Sequence, residues 1–315
     1  MRGYKSAGTV LADVNGDNYL DILVTTYHRG TILFLNNGEG DFTRDQQSGL
    51  DSTAVGGATM SLADIDGDGD LDLYVAHYNN KRVRDLYAPG DLAGSNVAVR
   101  EGDRYNIKEE FRKYYTNIQS IKGPALRETG IEDELYVNKG GIGNSWKGFE
   151  KVENLKGYFL DENGEPAGLG QNWGLSARFE DVNGDGYPDL YVCNDFWTPD
   201  QFWINQGNGA FKKIDPLKFR HMSLSAMDVA VGDINNDGNF DLFVSDMLSP
   251  VHSRRLRQIK NMDPFPVHVG EIRNQPQFPI RDYSCDPCLT DKTGLRNIFR
   301  HKPIFAPCLC FLIFL

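Results

Sequence analysis

The feature that most constrains this chain is an acidic loop pattern that occurs four times, each time directly before an apolar segment. The copies read LADVNGDNYLDILV at 11–24, LADIDGDGDLDLYV at 62–75, FEDVNGDGYPDLYV at 179–192 and VGDINNDGNFDLFV at 231–244. Each copy places acid or amide oxygens at loop positions 1, 3, 5 and 9. Oxygen ligands at this spacing suit a hard cation such as Ca²⁺, and four copies predict a repeat architecture.

The loops differ at position 6, where the chain must turn sharply. Gly69, Gly186 and Gly238 stand there in loops two to four, and glycine permits such a turn. Loop one has Asn18, which adopts left-handed geometry less freely. We therefore expect the first site to be the weakest and the second to be the strongest. With a backbone carbonyl at position 7, the predicted ligands are Asp13, Asn15, Asp17, Tyr19, Asp21, Asp64, Asp66, Asp68, Asp70, Asp72, Asp181, Asn183, Asp185, Tyr187, Asp189, Asp233, Asn235, Asp237, Asn239 and Asp241.

Two other kinds of acidic loop share part of this spacing. An EF-hand needs a glutamate at position 12 and a helix beyond it. Position 12 is valine in every copy, and the segments that follow are rich in β-branched and aromatic residues, as strands are. This excludes the EF-hand and, for the same missing acid, a dockerin-type loop. The remaining alternative is a set of metal-free Asx turns. Because converging carboxylates repel one another without a cation, we predict up to four structural Ca²⁺ sites.

The spacing of the loops indicates repeated units. The first aspartates of successive loops are 51, 117 and 52 residues apart, so the long interval is one unit plus an insertion. A strand, an Asn/Gly turn and a short strand follow at 31–44, 133–152 and 200–214, which predicts β-hairpins. Strand, acidic loop, strand and hairpin together give the four strands of a propeller blade.

The rest of the chain divides into insertions and a tail. We assign residues 1–281 to the repeats, with insertions at about 80–132 and 249–281. Insertions of this kind often carry the specific function. We predict a helix over residues 109–121, EEFRKYYTNIQSI. The Cys-rich tail, residues 282–315, matches no unit, and we expect it not to be native propeller sequence.

Composition narrows the classes of partner. The chain has 33 basic and 44 acidic residues, a net charge of −11, which argues against nucleic acid as a partner. No segment reaches the roughly 20 apolar residues of a membrane span. The N-terminus lacks the apolar region of a signal peptide, so we expect either an intracellular protein or an incomplete start.

Other reactive residues give weaker signals. The histidines show neither a zinc-protease spacing nor a Ser/His/Asp pattern, and we expect ordinary surface or core roles for them. The motif CDPC at 285–288, with Cys308 and Cys310, is a poor match to zinc sites. Cys193 lies in a predicted strand and is expected to be a buried apolar residue.

Aromatic residues cluster around the third loop. They suit either a sugar- or protein-binding platform or ordinary core packing. Asp195 and Asp200 lie close by in the sequence, and they are the carboxylates to inspect for acid–base chemistry. The aromatic residues are Trp173, Phe196, Trp197, Phe202 and Trp203.

The four units resemble FG-GAP/VCBS repeats, the calcium-loop blades of integrin α-chain propellers. More narrowly, GPALRETGIEDELYVNKGG at 123–141, NDFWTPDQFWINQGNGAF at 194–211 and MDVAVGDINNDGNFDLFVSDMLSP at 227–250 resemble the cartilage acidic protein family with ASPIC/UnbV domains. That resemblance implies a secreted, seven-bladed β-propeller with Ca²⁺ on one face. The chain departs from the family pattern, because it has four loops and no ASPIC/UnbV C-terminal domain.

Together these observations predict an all-β chain that forms part of a Ca²⁺-binding β-propeller. We expect a non-catalytic, extracellular, cell-surface or periplasmic module for adhesion or recognition, with a protein or glycan as partner and the remaining blades supplied from elsewhere. One alternative is a propeller associated with a polysaccharide-active enzyme. Another is a purely structural spacer, which predicts a disordered insertion at 79–132.

Overall fold

A computed structural model of the chain describes residues 6–50, 56–79, 81–120, 123–195, 198–215, 223, 225–234, 236–247 and 309–314. Strands dominate these residues, which confirms the all-β prediction. The two α-helices found in these ranges, α1 (Val83–Leu86) and α2 (Gly94–Val97), are single turns, so neither has the length to cross a membrane. Short 3₁₀ turns lie at Glu109–Phe111, Gly143–Ser145 and Leu155–Gly157.

The described residues contain 22 strands. In chain order they are β1 (Ser6–Ala12), β2 (Asp21–Thr26), β3 (Thr31–Asn36), β4 (Phe42–Arg44), β5 (Gly57–Ala63), β6 (Asp72–His77), β7 (Ala98–Glu101), β8 (Arg104–Ile107), β9 (Tyr115–Ser120), β10 (Gly123–Glu128), β11 (Ile131–Glu132), β12 (Glu134–Asn138), β13 (Phe149–Lys151), β14 (Phe159–Leu160), β15 (Gln171–Asn172), β16 (Gly174–Glu180), β17 (Asp189–Asn194), β18 (Gln201–Asn205), β19 (Phe211–Lys213), β20 (Ala226–Gly232), β21 (Asp241–Asp246) and β22 (Leu309–Phe314).

Four repeat sheets arise from these strands. Sheet 1 has the order β1-β2-β3-β4, and sheet 2 has the order β5-β6-β12-β13. Sheet 3 has the order β16-β17-β18-β19, with β14 added in parallel to β19. Sheet 4 has the order β20-β21-β22. The hairpins predicted at 31–44, 133–152 and 200–214 are confirmed as the antiparallel pairs β3–β4, β12–β13 and β18–β19.

The four sheets pack in chain order through their first strands. Strand β1 contacts β5, β5 contacts β16, and β16 contacts β20. An apolar cluster with members from both neighbours fills each interface; Leu23 and Leu73 belong to the first, Tyr74 and Leu190 to the second, and Tyr191 and Leu242 to the third. No sheet within the described ranges closes on itself. Burial between sheets, and not within one, therefore supplies the core.

The insertion in the second unit is ordered within its described residues. It contains the hairpins β7–β8 and β9–β10 and its own apolar cluster, with Val83, Val97 and Phe111 among its members. The helix predicted over 109–121 is wrong. The segment instead forms one 3₁₀ turn followed by β9, because every residue of Tyr115–Ser120 pairs with β10 in an antiparallel hairpin. The disorder expected of a purely structural spacer is likewise not observed in these residues.

The tail contributes one described strand. Strand β22 pairs antiparallel with β21, as the third strand of sheet 4, where the other units begin their hairpin. Residues 248–308 lie outside the described residues, and so does the CDPC motif. The proposed domain boundaries and the origin of the tail stay predictions.

Candidate metal centres in the four loops

The acidic loops occupy equivalent places in the four sheets. Each one joins the first strand of its sheet to the second, between β1 and β2, β5 and β6, β16 and β17, and β20 and β21. Because the sheets pack in the same order and share this topology, the loops lie at the same end of every sheet, the loop end.

The carboxylate at position 1 closes each loop. In loop two, Oδ1 of Asp64 accepts hydrogen bonds from the backbone N–H groups of Gly67 (2.7 Å) and Asp68 (3.1 Å), and Oδ2 accepts from Gly69 (2.9 Å). Asp181 accepts the three equivalent bonds in loop three. Asp13 and Asp233 each accept from positions 5 and 6 of their own loops. The same backbone turn is therefore built four times.

Two positions of the turn take left-handed backbone. At position 6, Gly69 has φ 92° and Asn18 has φ 69°, as the sequence predicted for a sharp turn. Position 4 is also left-handed, which the sequence analysis missed; Gly67 has φ 82°, and Asn236 in loop four has φ 57°. Loops one and four each place a non-glycine residue in this region, at a cost that glycine avoids.

The aspartate at position 9 is buried in every loop, and in each one it accepts a hydrogen bond from the N–H of position 2. Oδ2 of Asp72 accepts from the N–H of Ile65 in its own loop (3.1 Å), and Oδ1 accepts from the N–H of Asn138 at the end of β12 (2.8 Å). Asp21 and Asp189 make the same pair of bonds. Burial raises the pKa of Asp72 to about 7 and that of Asp189 to about 6. Through these two hydrogen bonds the position-9 carboxylate ties its loop to the third strand of the sheet.

An asparagine at the end of the third strand joins neighbouring sheets, a role the sequence analysis did not identify. Nδ2 of Asn138 donates to the carbonyl of Val14 in the first loop (2.9 Å), 124 residues away. Nδ2 of Asn205 donates in the same way to Ile65 in the second loop (2.8 Å). Loops one and two are thus each held by their own sheet and by the next one. The repeated Asn-x-Gly turn after strand three is the only local signal for it.

The second loop brings three carboxylates together. One oxygen from each of Asp64, Asp66 and Asp72 lies within 4.8 Å of the others. Among the described residues this is the one group of three acidic, histidine or cysteine side chains close enough to share an ion. Partial burial, and then repulsion from Asp68, raises the pKa of Asp66 and of Asp70. A bound cation offsets that repulsion, so this oxygen-only donor set fits Ca²⁺.

The other loops replace one carboxylate with an amide. In loop three, Asn183 accepts from the N–H of Asp185 through Oδ1 (2.9 Å) and donates through Nδ2 to the Asp185 carboxylate (2.9 Å). Asn15 and Asp17 repeat this contact in loop one. Amide oxygens also bind Ca²⁺, so these sites have fewer charges but the same donor type. Asn235 lies outside the described residues.

The residues at position 7 donate their N–H groups to the position-5 carboxylates, over 2.9 to 3.0 Å. This bond fixes the turn that carries the predicted carbonyl ligand; ligation by that carbonyl stays a prediction. The residues concerned are Tyr19, Asp70, Tyr187 and Asn239.

The other candidate residues belong to the core. Trp173, Phe202 and Trp203 are buried, so core packing is the better interpretation for them, while Phe196 and Trp197 lie outside the described residues. Cys193 is buried, as predicted. The aromatic cluster at this point of the chain therefore offers no exposed platform among the side chains that the structure describes.

Two buried aspartates lie at the opposite end of sheets 2 and 3. Asp133 accepts from the hydroxyl of Tyr74 (2.6 Å) and the N–H of His77 (2.7 Å). Asp200 accepts from the hydroxyl of Tyr191 (2.8 Å) and the N–H of Asn194 (2.8 Å). Burial raises the pKa of Asp133 to about 7 and that of Asp200 to about 8. Their partners assign them a structural role.

Asp195, the second carboxylate singled out for acid–base chemistry, is also buried. Its carboxylate accepts a hydrogen bond from the hydroxyl of Tyr78 (2.9 Å), which in turn accepts one from Arg82 (2.9 Å). The ring of Tyr78 packs edge-on against Trp173, with 5.3 Å between ring centroids. Asp195 therefore anchors the start of the insertion to sheet 3, and neither it nor Asp200 is placed as an exposed catalytic acid.

Several solved structures are similar to this chain at low identity. A Bacillus licheniformis rhamnogalacturonan lyase is 12% identical, with a TM-score of 0.35, and the match covers 76% of this chain and 39% of the lyase. A biofilm matrix protein of V. cholerae is 16% identical, with a TM-score of 0.27 and coverage of 78% and 36%. An Agrocybe aegerita lectin that recognises non-reducing terminal N-acetylglucosamine is 15% identical, with a TM-score of 0.26 and coverage of 99% and 72%. The chain thus spans about two fifths of the lyase and of the biofilm protein.

No curated protein sequence matches the chain significantly. The model of the FG-GAP-like repeat family matches it at two places, residues 13–75 and 181–244. The first match contains loops one and two, and the second contains loops three and four. The chain therefore carries FG-GAP-like repeats at these two places, and they include all four acidic loops.

Proposed function

We propose that the chain is a calcium-binding β-propeller module in which the four repeat sheets are consecutive blades. The observation that carries the proposal is the acidic loop, built with the same hydrogen bonds at the same end of each sheet and, in loop two, with three carboxylates within 4.8 Å. FG-GAP-like repeats in both halves of the described chain support it. The proposed role of the ion is structural.

Each Ca²⁺ would be held by the oxygens at positions 1, 3, 5, 7 and 9 of its loop. When bound, it supplies two positive charges that offset the repulsion among these carboxylates. The protein itself fixes the conformation of loop two, because Asp64 and Asp72 accept hydrogen bonds from backbone N–H groups of the loop. Loop two has the most carboxylates and is proposed as the tightest site.

We propose recognition of a protein or glycan, outside the cytoplasm, as the module's biological role. The insertion supports this, because it joins the end of β6 to the start of β12 and so extends from the end opposite the loops. Its described residues form two hairpins and expose apolar side chains, including Leu86 (45% exposed) and Val99 (53% exposed). Ordered insertions on a repeat scaffold are common places for binding residues. The resemblance of residues 123–141, 194–211 and 227–250 to the cartilage acidic protein family is the support for a secreted location.

Calorimetric titration of the chelator-treated chain with CaCl₂ and with MgCl₂ tests the metal proposal. We expect saturable heats that fit Ca²⁺ binding at more than one site. Mg²⁺ should give much smaller heats, because it prefers a tighter octahedral cage. The absence of any Ca²⁺ binding by a folded chain would overturn it.

A glycan array and a panel of purified matrix proteins, probed with the calcium-loaded chain, test recognition separately. Saturable binding that Val99→Glu weakens, in a variant that still binds Ca²⁺, would support a role for the insertion. If the chain binds Ca²⁺ but binds no glycan or matrix protein in these screens, the metal sites stand and the recognition role is rejected.

A further inference from the structure

The turn after the third strand of sheet 3 contacts two acidic loops at once. Asn205, the last residue of β18, donates its backbone N–H to Oδ1 of Asp189 in loop three (2.9 Å). Its side-chain Nδ2 donates to the carbonyl oxygen of Ile65 in loop two (2.8 Å). Asn205 is buried, so both hydrogen bonds are shielded from water. One residue therefore holds loops two and three in a fixed position relative to each other.

Ile65 carries this contact into the candidate metal centre of loop two. Its backbone N–H donates to Oδ2 of Asp72 (3.1 Å), and its side chain is buried in the apolar cluster between sheets 2 and 3. Asp72 is one of the three carboxylates that lie within 4.8 Å of one another. Direct hydrogen bonds through Asn205 and Ile65 thus connect the position-9 carboxylate of loop three, Asp189, with that of loop two. All four residues are buried.

Close packing adds a second contact between the same two loops. The ring of Tyr187, at position 7 of loop three, lies beside Gly67, at position 4 of loop two, where a Cβ atom would be 3.5 Å from the ring. Gly209, in the turn between β18 and β19, lies close to Asp66, because a Cβ atom on Gly209 would be 3.3 Å from the Asp66 side chain. Predicted ligand residues of loops two and three therefore contact the neighbouring unit.

The interface between loops one and two is built in the same way. Asn138, the last residue of β12, donates its N–H to Asp72 (2.8 Å) and its Nδ2 to the carbonyl of Val14 in loop one (2.9 Å). In the turn between β12 and β13, the N–H of Gly143 donates to the carbonyl of Asn15, a predicted ligand residue of loop one (2.8 Å). Loop two therefore shares one turn with loop one and another with loop three.

We propose that Ca²⁺ binding in loops one, two and three is positively coupled, so that an ion in one loop raises the affinity of the neighbouring loop. This inference rests on the proposed calcium sites and concerns how they respond together. An ion in loop two fixes the loop backbone and so holds the Ile65 carbonyl in place for Asn205. Asn205 in turn holds the N–H that Asp189 accepts. The ion that enters loop three then binds a site that is already ordered, and its binding costs less conformational entropy.

Charge does not oppose this coupling. Each of the three loops has at least three aspartates among its predicted ligands, so one Ca²⁺ leaves no loop with a net positive charge. A loaded loop therefore does not repel the ion that enters its neighbour. Because coupling between binding sites is reciprocal, loops one and three must also strengthen loop two.

Solution NMR of the isotope-labelled full chain measures the loops one by one. The N–H at position 6 of each loop donates to the position-1 carboxylate, over 2.8 to 2.9 Å in Asn18, Gly69 and Gly186, so its chemical shift reports an ion in that loop. The chelator-treated chain is titrated with CaCl₂. Asp68→Asn removes one carboxylate from loop two. We expect it to raise the Kd of Ca²⁺ in loops one and three by at least about 5-fold, although it alters neither loop.

A second substitution tests whether the asparagine is the connection. In the Asn205→Ala background, Asp68→Asn should still weaken loop one but should no longer weaken loop three. Asn36→Ala is the matched control, because Asn36 makes the hydrogen bonds that Asn205 makes within its own sheet. In the part of the chain that the structure describes, Asn36 bonds to no second loop. The control should leave both effects of Asp68→Asn intact.

The outcomes separate the coupling from the calcium sites themselves. If no position-6 amide responds to Ca²⁺ in a folded chain, the sites are rejected and the coupling with them. If the amides respond but Asp68→Asn leaves the Kd of loops one and three unchanged, the sites stand and the coupling is overturned. A folded Asn205→Ala chain in which loop three still depends on loop two would also overturn it. Asp68 is exposed, so its variant decides the matter even if Asn205→Ala does not fold.

Discussion

The two ends of sheets 2 and 3 use aspartate in opposite ways. At the loop end, Asp66 and Asp68 are exposed and lie close to other carboxylates. At the far end, Asp133 and Asp200 are buried, and each one accepts from a tyrosine hydroxyl and a backbone N–H. Each oxygen of the second pair accepts one hydrogen bond from the protein, whereas the loop carboxylates lie close to one another.

The two ends therefore differ in what would neutralise their carboxylates. The buried carboxylates are most easily accommodated when they are protonated, because burial opposes their charge. The exposed loop carboxylates are most easily accommodated when a cation neutralises them. Asp72 combines both properties, since it is buried and also contributes an oxygen to the acidic group of loop two.

Replacing Asp72 with alanine should have the largest effect. The change leaves the N–H groups of Ile65 and Asn138 without their acceptor in a buried place. We expect a loss of about 3 kcal/mol in the free energy of unfolding, measured by urea unfolding in EGTA, and a larger loss in Ca²⁺. Glu39→Ala, at an exposed site, should stay within about 0.5 kcal/mol of wild type. A loss as small as that of the control would contradict the bridging role.

The pH dependence of stability should come largely from the buried carboxylates. Their pKa values are raised on folding, so between about pH 4 and pH 7 the folded chain binds more protons than the unfolded chain, and stability falls as pH rises. We expect Asp133→Asn, which imitates the protonated acid, to flatten this fall by about 1 kcal/mol per pH unit. Urea unfolding in EGTA from about pH 5 to pH 8 measures it. Equal slopes in the variant and the wild type would reject a neutral Asp133.

Asp68→Asn should reduce the response to calcium without harming the metal-free chain. Asparagine keeps the oxygen that accepts from the N–H of Asp70 but removes one charge from the loop. At tenfold excess over the dissociation constant, loss of one site removes about 1.4 kcal/mol of stabilisation by Ca²⁺. Asp66→Asn is the matched variant and should have less effect, since loops one and three carry asparagine at that position. An unchanged calcium response in Asp68→Asn would place the ion elsewhere.

The smallest expected effect concerns the turn of loop one. Asn18 is exposed, with φ 69°. Asn18→Ala should cost about 1 kcal/mol, because a Cβ-bearing residue without a local side-chain hydrogen bond is strained there, whereas Asn18→Gly should be close to neutral. Thermal unfolding of both variants separates backbone strain from loss of the side chain. If alanine is tolerated as well as glycine, strain does not weaken this loop.

Local patterns predicted what depends on local geometry. The position-6 turn around Gly69 and the hairpin after β3 follow from a few adjacent residues, and both are confirmed. Other contacts join residues that are far apart in the chain, so no short sequence pattern predicts them. Examples are the hydrogen bond from Asn138 to Val14 and the buried hydrogen bond from Tyr74 to Asp133. The helix expected over residues 109–121 failed for a related reason, because the pairing of β9 with β10 outweighs local propensity.

Thermal unfolding of the full chain in excess EGTA, in Ca²⁺ and in Mg²⁺ tests the central claim most directly. If the four acidic loops are calcium sites, Ca²⁺ raises the unfolding temperature by several degrees and Mg²⁺ does so much less, since the loops offer a large, flexible set of oxygens. A chain that is folded in EGTA and shows no shift with Ca²⁺ would contradict the claim and leave the loops as metal-free Asx turns.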